Sequence, residues 1–126
     1  MSGAYVPGAC NIGQGEVKRR QAVAIFGLIL MVISAAGIFA TDQDRGARLS
    51  IFIPALIFSI GFVQSRKKFC LAYGLAGTFN FGKLGQISKV QSPEDKKADR
   101  KTAVSILFQS IALAGLITAI FFVLPL

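Results

Sequence analysis

From Thr102 to Leu126 the chain carries no charged side chain, and the residues just ahead of that run read as the start of one long helix. Ser92 suits the N-cap. Pro93 suits the first helical position, because its missing N–H would be unpaired there anyway, and Glu94 and Asp95 oppose the positive end of the helix dipole. Nothing after them stops a helix before Pro125. A helix over 93–124 would be about 48 Å long at ~1.5 Å per residue. That covers a bilayer core of about 30 Å and leaves a stem outside it. Lys96, Lys97, Asp99, Arg100 and Lys101 occupy that stem, so one end of the helix is wet and basic.

Two further runs repeat the pattern. Gln21 to Thr41 holds no charge between Arg20 and Asp42, and Leu49 to Ser65 holds none between Arg48 and Arg66. The first is a full span, and the second sits at the short end of the roughly 17–25 residues a span needs. A buried helix of a water-soluble domain would show a polar face, and none of the three runs has one. The fold class that follows is an all-α membrane protein with three transmembrane helices, the last extended by a cytoplasmic basic stem. The chain divides into a tail (1–15), helix (16–40), link (41–48), helix (49–74), aromatic loop (75–92) and helix (93–124), all in one membrane domain.

A net charge of +8 would point to nucleic acid in a soluble chain, but its distribution favours a membrane surface and no nucleic acid. Lys18, Arg19, Arg20, Arg66, Lys67, Lys68, Lys83, Lys89, Lys96, Lys97, Arg100 and Lys101 fall on one side of a three-span topology, and Arg45 and Arg48 on the other. By the positive-inside rule the N-terminus is cytoplasmic and the C-terminus external, in a bacterial inner membrane. Lys18, Arg19, Arg20, Arg66, Lys67, Lys68, Lys96, Lys97, Arg100 and Lys101 form collars suited to anionic lipid headgroups, so bound lipid is expected.

The tail, 1–15, is uncharged and rich in Gly and Pro, and alone it should be disordered; if it is ordered, a partner is expected to hold it. Lys18-Arg19-Arg20 ahead of an apolar run resembles a signal peptide, but the run is long for one, and no apolar stretch precedes Cys10 as a lipoprotein site requires. Ser34, Ala35, Ala36 and Gly37 predict a helix-contact face in the first span, because small residues let backbones approach in lipid. Pro54 predicts a mild bend just inside the second span. In the third span Gln109, Ser110, Ala114, Gly115 and Thr118 are the expected packing residues, with the Gln109 amide bonding across a helix interface. Between spans, Phe69 to Gly74 can extend the second helix, with Gly74 or Gly77 ending it. Thr78-Phe79-Asn80-Phe81-Gly82 then reads as an aromatic loop, a strand so short being unable to stand alone.

The pieces Cys10-Asn11-Ile12-Gly13, Phe69-Cys70, Phe79-Asn80-Phe81-Gly82 and Asp99-Arg100-Lys101, in that order, resemble an uncharacterised family of small three-span bacterial inner-membrane proteins. The likeness covers nearly the whole chain. It lends no activity, and it implies that the distinctive residues lie on the cytoplasmic side.

The chemistry on offer is sparse. There is no histidine, so imidazole ligation of a metal or haem within this chain is excluded. The spans hold no Asp, Glu, Lys or Arg, which disfavours a proton-coupled carrier. No catalytic constellation and no cofactor are predicted. Cys10 and Cys70, on the side where thiols stay reduced, read as packed thiols; a metal or redox site would need a partner to complete it. Two functions remain. One is a non-catalytic accessory or assembly subunit of a larger bacterial membrane complex, an energy-transducing one being a natural setting. It would bind other membrane subunits through Phe69, Tyr73, Phe79, Asn80 and Phe81. The alternative is a homo-oligomeric pore or small-solute channel lined by Ser105, Gln109 and Thr118.

Overall fold

The last helix begins where its capping residues place it. In a computed structural model describing residues 5–81 and 87–124, Ser92 Oγ accepts a hydrogen bond from the Asp95 amide at 3.4 Å, and the helix runs Pro93–Val123 (α4). Met1–Ala4, Gly82, Lys83, Gly85 and the helix stop at Pro125 lie outside the described residues. Ahead of α4 come α1 (Gln14–Ala40), a 3-10 turn (Arg45–Ile51), α2 (Phe52–Lys67), a short α3 (Leu71–Ala76) and strands β1 (Thr78–Phe79) and β2 (Ser88–Lys89). Three helical stretches, Gln14–Ala40, Arg45–Lys67 and Pro93–Val123, are long and apolar enough to cross a membrane.

α2 lies between the other two spans, with α1 along one side and α4 along the other. Lipid gives helices no hydrophobic reason to associate, so close packing has to hold them. Gly27 and Gly61 provide it. A Cβ on Gly61 would lie 2.6 Å from the Ala24 nitrogen and 2.8 Å from the Arg20 carbonyl oxygen, and one on Gly27 would lie 2.7 Å from Phe58 Cα. These are backbone atoms, which cannot move aside. The contact expected at Ser34–Gly37 is not where the helices meet most closely: Gly37 has nothing within 4 Å of its Cβ position, and the same holds for Gly115.

α4 buries Asp99, Ala103, Ile106, Ser110, Ala114 and Thr118, one continuous stripe of mostly small residues. Ser110 and Thr118 donate to carbonyls one turn back in their own helix, at 2.8 Å each, and Ser59 on α2 does the same at 2.7 Å. Gln109 departs from expectation. It is exposed, and its amide donates to Ser105 within α4 at 2.9 Å, so it is not glue between these helices.

α2 also stops earlier than the sequence implied. Lys68 turns left-handed (φ 53°), with its N–H on the Gln64 carbonyl, and Phe69 N donates to the same oxygen at 3.1 Å. Two partners elsewhere stabilise this break: the Gln64 side chain accepts from Leu71 N at 2.7 Å, and Asn11 takes the backbone of Cys70. Pro54 sits in the first turn of α2, where no N–H is needed, just after the helix changes from 3-10 to α. The aromatic segment is not a free loop either. Thr78 pairs with Lys89 and Phe79 with Ser88, and Asn80 bridges to Ile12.

The tail is where the reading changes most. Residues 5–13 run across the charged end of the bundle as a strap bonded to other parts of the same chain. Cys10 folds back on Val6 through two backbone bonds of 2.8 and 2.9 Å, and Asn11, Ile12 and Gly13 are buried.

Candidate functional site

The strap, the break after α2, β1 and the first turns of α4 converge on one end of the bundle, forming a cap. Asn11 is its central tie. Its Oδ1 accepts from the Cys70 amide at 2.7 Å and its Nδ2 donates to the Cys70 carbonyl at 3.2 Å, so one side-chain amide pairs with a backbone as a strand would. Its own backbone N–H donates to Lys68 O at 3.3 Å, and its carbonyl accepts from Asn80 N at 2.9 Å. Gly13 N in turn donates to Asn80 O at 2.9 Å, and a Cβ on Gly13 would meet Phe81 Cα at 3.2 Å.

Two of the chain's six acids are buried in this cap, each surrounded by donors. Glu16, 1 % exposed, accepts from Arg20 Nη1 (2.9 Å), Tyr73 OH (2.5 Å) and Asn80 Nδ2 (3.1 Å). Arg20 uses its other arm on Cys70 Sγ at 2.8 Å and lies 5.9 Å from the centre of the Tyr73 ring. Burial, and then the hydrogen bond to Glu16, push the Tyr73 phenol above its ordinary pKa. Asp99, fully buried, accepts from Tyr5 OH (2.5 Å) and from Gly8 N (2.7 Å). Burial first, and then Asp99, raise the Tyr5 phenol as well. Thr102 Oγ1 donates to Gly8 O at 2.6 Å, and Gly8 takes φ 71° to lie against Ala98. Among the described residues, no buried side-chain nitrogen or oxygen lacks a hydrogen-bond partner.

The predicted docking residues separate into two groups. Phe69 (0 % exposed) is core, packed with Val63, Ala103 and Ile106, and Asn80 (1 %) is a buried tie, so neither is on a surface. Tyr73 is half-buried, with its hydroxyl bonded to Glu16. Phe79 and Phe81 remain partly exposed. Phe79 stacks on Tyr5, ring centres 4.6 Å apart, and Phe81 lies 6.2 Å beyond it, giving a three-ring ladder whose first member the sequence reading missed.

Of the predicted headgroup cations, Lys18, Arg19, Arg66, Lys67, Lys68, Lys96, Lys97, Arg100 and Lys101 are exposed; Arg20 is not available, being paired with Glu16. Lys96 lays its methylene stem over Gly77. Cys10 and Cys70 are both free thiols with different partners, Cys10 Sγ donating to Ile12 O at 3.6 Å and Cys70 Sγ accepting from Arg20. Among the described residues no three His, Cys, Asp or Glu side chains gather as metal ligands. The three proposed pore-lining residues do not share a face: Ser105 and Gln109 are exposed, whereas Thr118 is buried.

At the opposite end, Arg45 and Arg48 have a local role. Arg48, 6 % exposed, donates to the carbonyls of Phe121 (3.2 Å), Phe122 (3.3 Å) and Leu124 (2.7 Å), and Arg45 donates to Phe122 O at 2.5 Å. The last carbonyls of a helix have no partner within it and carry its negative end, so two guanidinium groups there satisfy both needs. Arg48 also lies 5.1 Å from the centre of the Phe39 ring, and Phe39 meets Phe121 edge-on at 5.3 Å, which ties the ends of α1 and α4 together.

The fold and its cap define, among the described residues, a helical chain with three segments long and apolar enough to span a membrane and a hydrogen-bonded cap at one end. Compared with protein-family models, curated proteins and solved structures, it matches none.

Proposed function

We propose that this chain is a non-catalytic accessory or assembly subunit of a larger bacterial membrane complex. It sits in the inner membrane with its N-terminus and cap cytoplasmic and its C-terminus external, and it docks through the cap. One observation carries the reading. The buried polar groups of the cap are each bonded to another part of the same chain, while its surface carries, besides the exposed cations, a partly exposed ladder of rings, Tyr5, Phe79 and Phe81. A catalytic site needs groups free to meet a substrate; a docking module needs a rigid body and an apolar contact. The orientation follows from the side on which most cations lie. The bonds of Arg45 and Arg48 to the end of α4 support it, because they give the two exceptions a structural reason to be there.

The test is Phe79→Ala with Phe81→Ala. Losing an aromatic anchor costs about 2 kcal/mol or more, some 30-fold in affinity, so the double variant should insert and fold yet leave its complex on native gels. Comigration with the same partners as the unmodified protein would mean that the rings rest in the headgroup layer and the docking idea is wrong.

A further inference from the structure

Gln109 is out of place as a lipid-facing residue. It lies within the uncharged body of α4, it is exposed, and among the described residues its amide makes one bond, to Ser105, leaving Oε1 and one N–H unused. Exposing a primary amide to hydrocarbon is unfavourable unless something polar meets it. What surrounds it indicates what that is. Gln109 lines a cleft of about 330 Å³ between α2 and α4, together with Phe62, Val63, Arg66 and Lys67. A volume of that size accommodates a small polar group.

The order of groups along the cleft is informative. Val63 of α2 packs in one cluster with Ile106 of α4, which sets the relative height of the two helices. Gln109 lies three residues deeper than Ile106 on antiparallel α4, but its side chain reaches back to Ser105, one turn toward the charged end, which brings the amide near the level of Val63 and within about one helical turn of Arg66. From the charged end inward, the cleft offers two cations and then, at about one level, an amide with a free donor and acceptor beside the apolar side chains of Phe62 and Val63. Arg66 also lies 5.8 Å from the Phe62 ring centre, a contact that keeps its stem along the cleft wall. A glycerophospholipid presents a matching arrangement: phosphate outermost, with the ester carbonyls, the glycerol and the start of the acyl chains beneath it.

We propose that this cleft binds one anionic phospholipid from the leaflet at the basic end of the bundle, with Arg66 and Lys67 on the phosphate and Gln109 on the glycerol-ester level. The site is distinct from the ring ladder and does not depend on docking. Charge complementarity selects an anionic headgroup, and the amide accounts for a fixed position where cations alone would give a diffuse layer.

The full-length protein, purified in a zwitterionic detergent and titrated with phosphatidylglycerol or phosphatidylcholine, can be followed by native mass spectrometry. One phosphatidylglycerol per chain should be retained in preference to phosphatidylcholine. Arg66→Ala with Lys67→Ala should weaken it roughly 30-fold, from the loss of two cations. Lys18→Ala with Lys97→Ala, which removes the same charge elsewhere on the surface, should change it by less than about threefold on the same scale. Gln109→Leu should also weaken it, with the protein remaining monodisperse. Equal losses in the two cation pairs would reduce the site to general surface charge and overturn the proposal. So would a Gln109→Leu variant that keeps its lipid, or one that loses a dimer mass present in the unmodified protein, since a second copy would then cover the amide.

Discussion

If the buried acid at the start of α1 holds the cap closed, Glu16→Gln should open it. The substitution keeps the shape of the side chain and removes its charge. Its carboxylate accepts from three donors, while the side chains of the Glu16–Arg20 pair are 0 % and 12 % exposed. Breaking a buried ion pair by removing one partner costs about 3–5 kcal/mol, mostly because the other charge is left stranded. Arg20 keeps Cys70 Sγ and the Tyr73 ring, so the low end, about 3 kcal/mol, is the appropriate figure. At 1.4 kcal/mol per factor of ten, this is on the order of 100-fold in the population of the opened cap.

Hydrogen exchange in lipid nanodiscs reads that population directly. The amides of Asn11, Gly13 and Asn80 are bonded across the cap. They should exchange about 100-fold faster in Glu16→Gln, while those in the body of α4 stay protected. The mechanism makes a second demand. Adding Arg20→Met removes the stranded charge, so the double variant should recover a large part of the protection that the single one lost. Strap amides that change by less than about threefold in Glu16→Gln would refute the argument. A double variant as open as the single would show that shape or the neutral hydrogen bonds hold the cap, and the charge does not.

Two further outcomes follow from the packing. Gly61→Leu forces side-chain atoms into the backbone of α1 at Ala24 and Arg20, and should cost more than the roughly 1–3 kcal/mol typical of overpacking; thermal melts in detergent should show a lower midpoint, and an unchanged one would mean that α1 and α2 do not meet there. Arg48→Gln removes charge-assisted bonds to three carbonyls and should destabilise the chain by about 1.5–3 kcal/mol without reversing topology in reporter fusions; an inverted chain would show that this cation had been setting orientation rather than capping α4.

The spans were legible because their signal is one-dimensional: charge-free runs of sufficient length, with Ser92-Pro93 marking where the last one starts. Their packing was less so. Any small residue can be a contact: 34–37 was the face expected, whereas the close approach to α2 falls at Gly27, against the backbone of Phe58. The cap was hidden for a different reason. Each of its ties joins residues far apart in the chain, such as Asn11 to Cys70 and Tyr5 to Asp99, and nothing local distinguishes an asparagine that pairs with a distant backbone from one in a turn. The Gly- and Pro-rich tail lacks apolar area to order itself by burial, which is why disorder was the natural expectation; hydrogen bonds to a preformed end replace that area.

One tie did leave a trace. Spacing along α4 runs 99, 103, 106, 110, 114, 118, and every member after the first is small or apolar or carries only a hydroxyl. Asp99 therefore continues the buried face of the span up into the basic stem, on the one side where a carboxylate cannot simply face water. An acid on such a stripe must be met by donors from elsewhere in the chain or from a partner, and the uncharged tail with its tyrosine and free glycine amide is well suited to supply them. Glu16 obeys the same logic, with Arg20 four residues on as the visible half of its pair. In a chain with 14 basic residues and 6 acidic ones, the acids are the rarer and therefore the more informative charges. Glu16 and Asp99 mark where the chain folds back on itself.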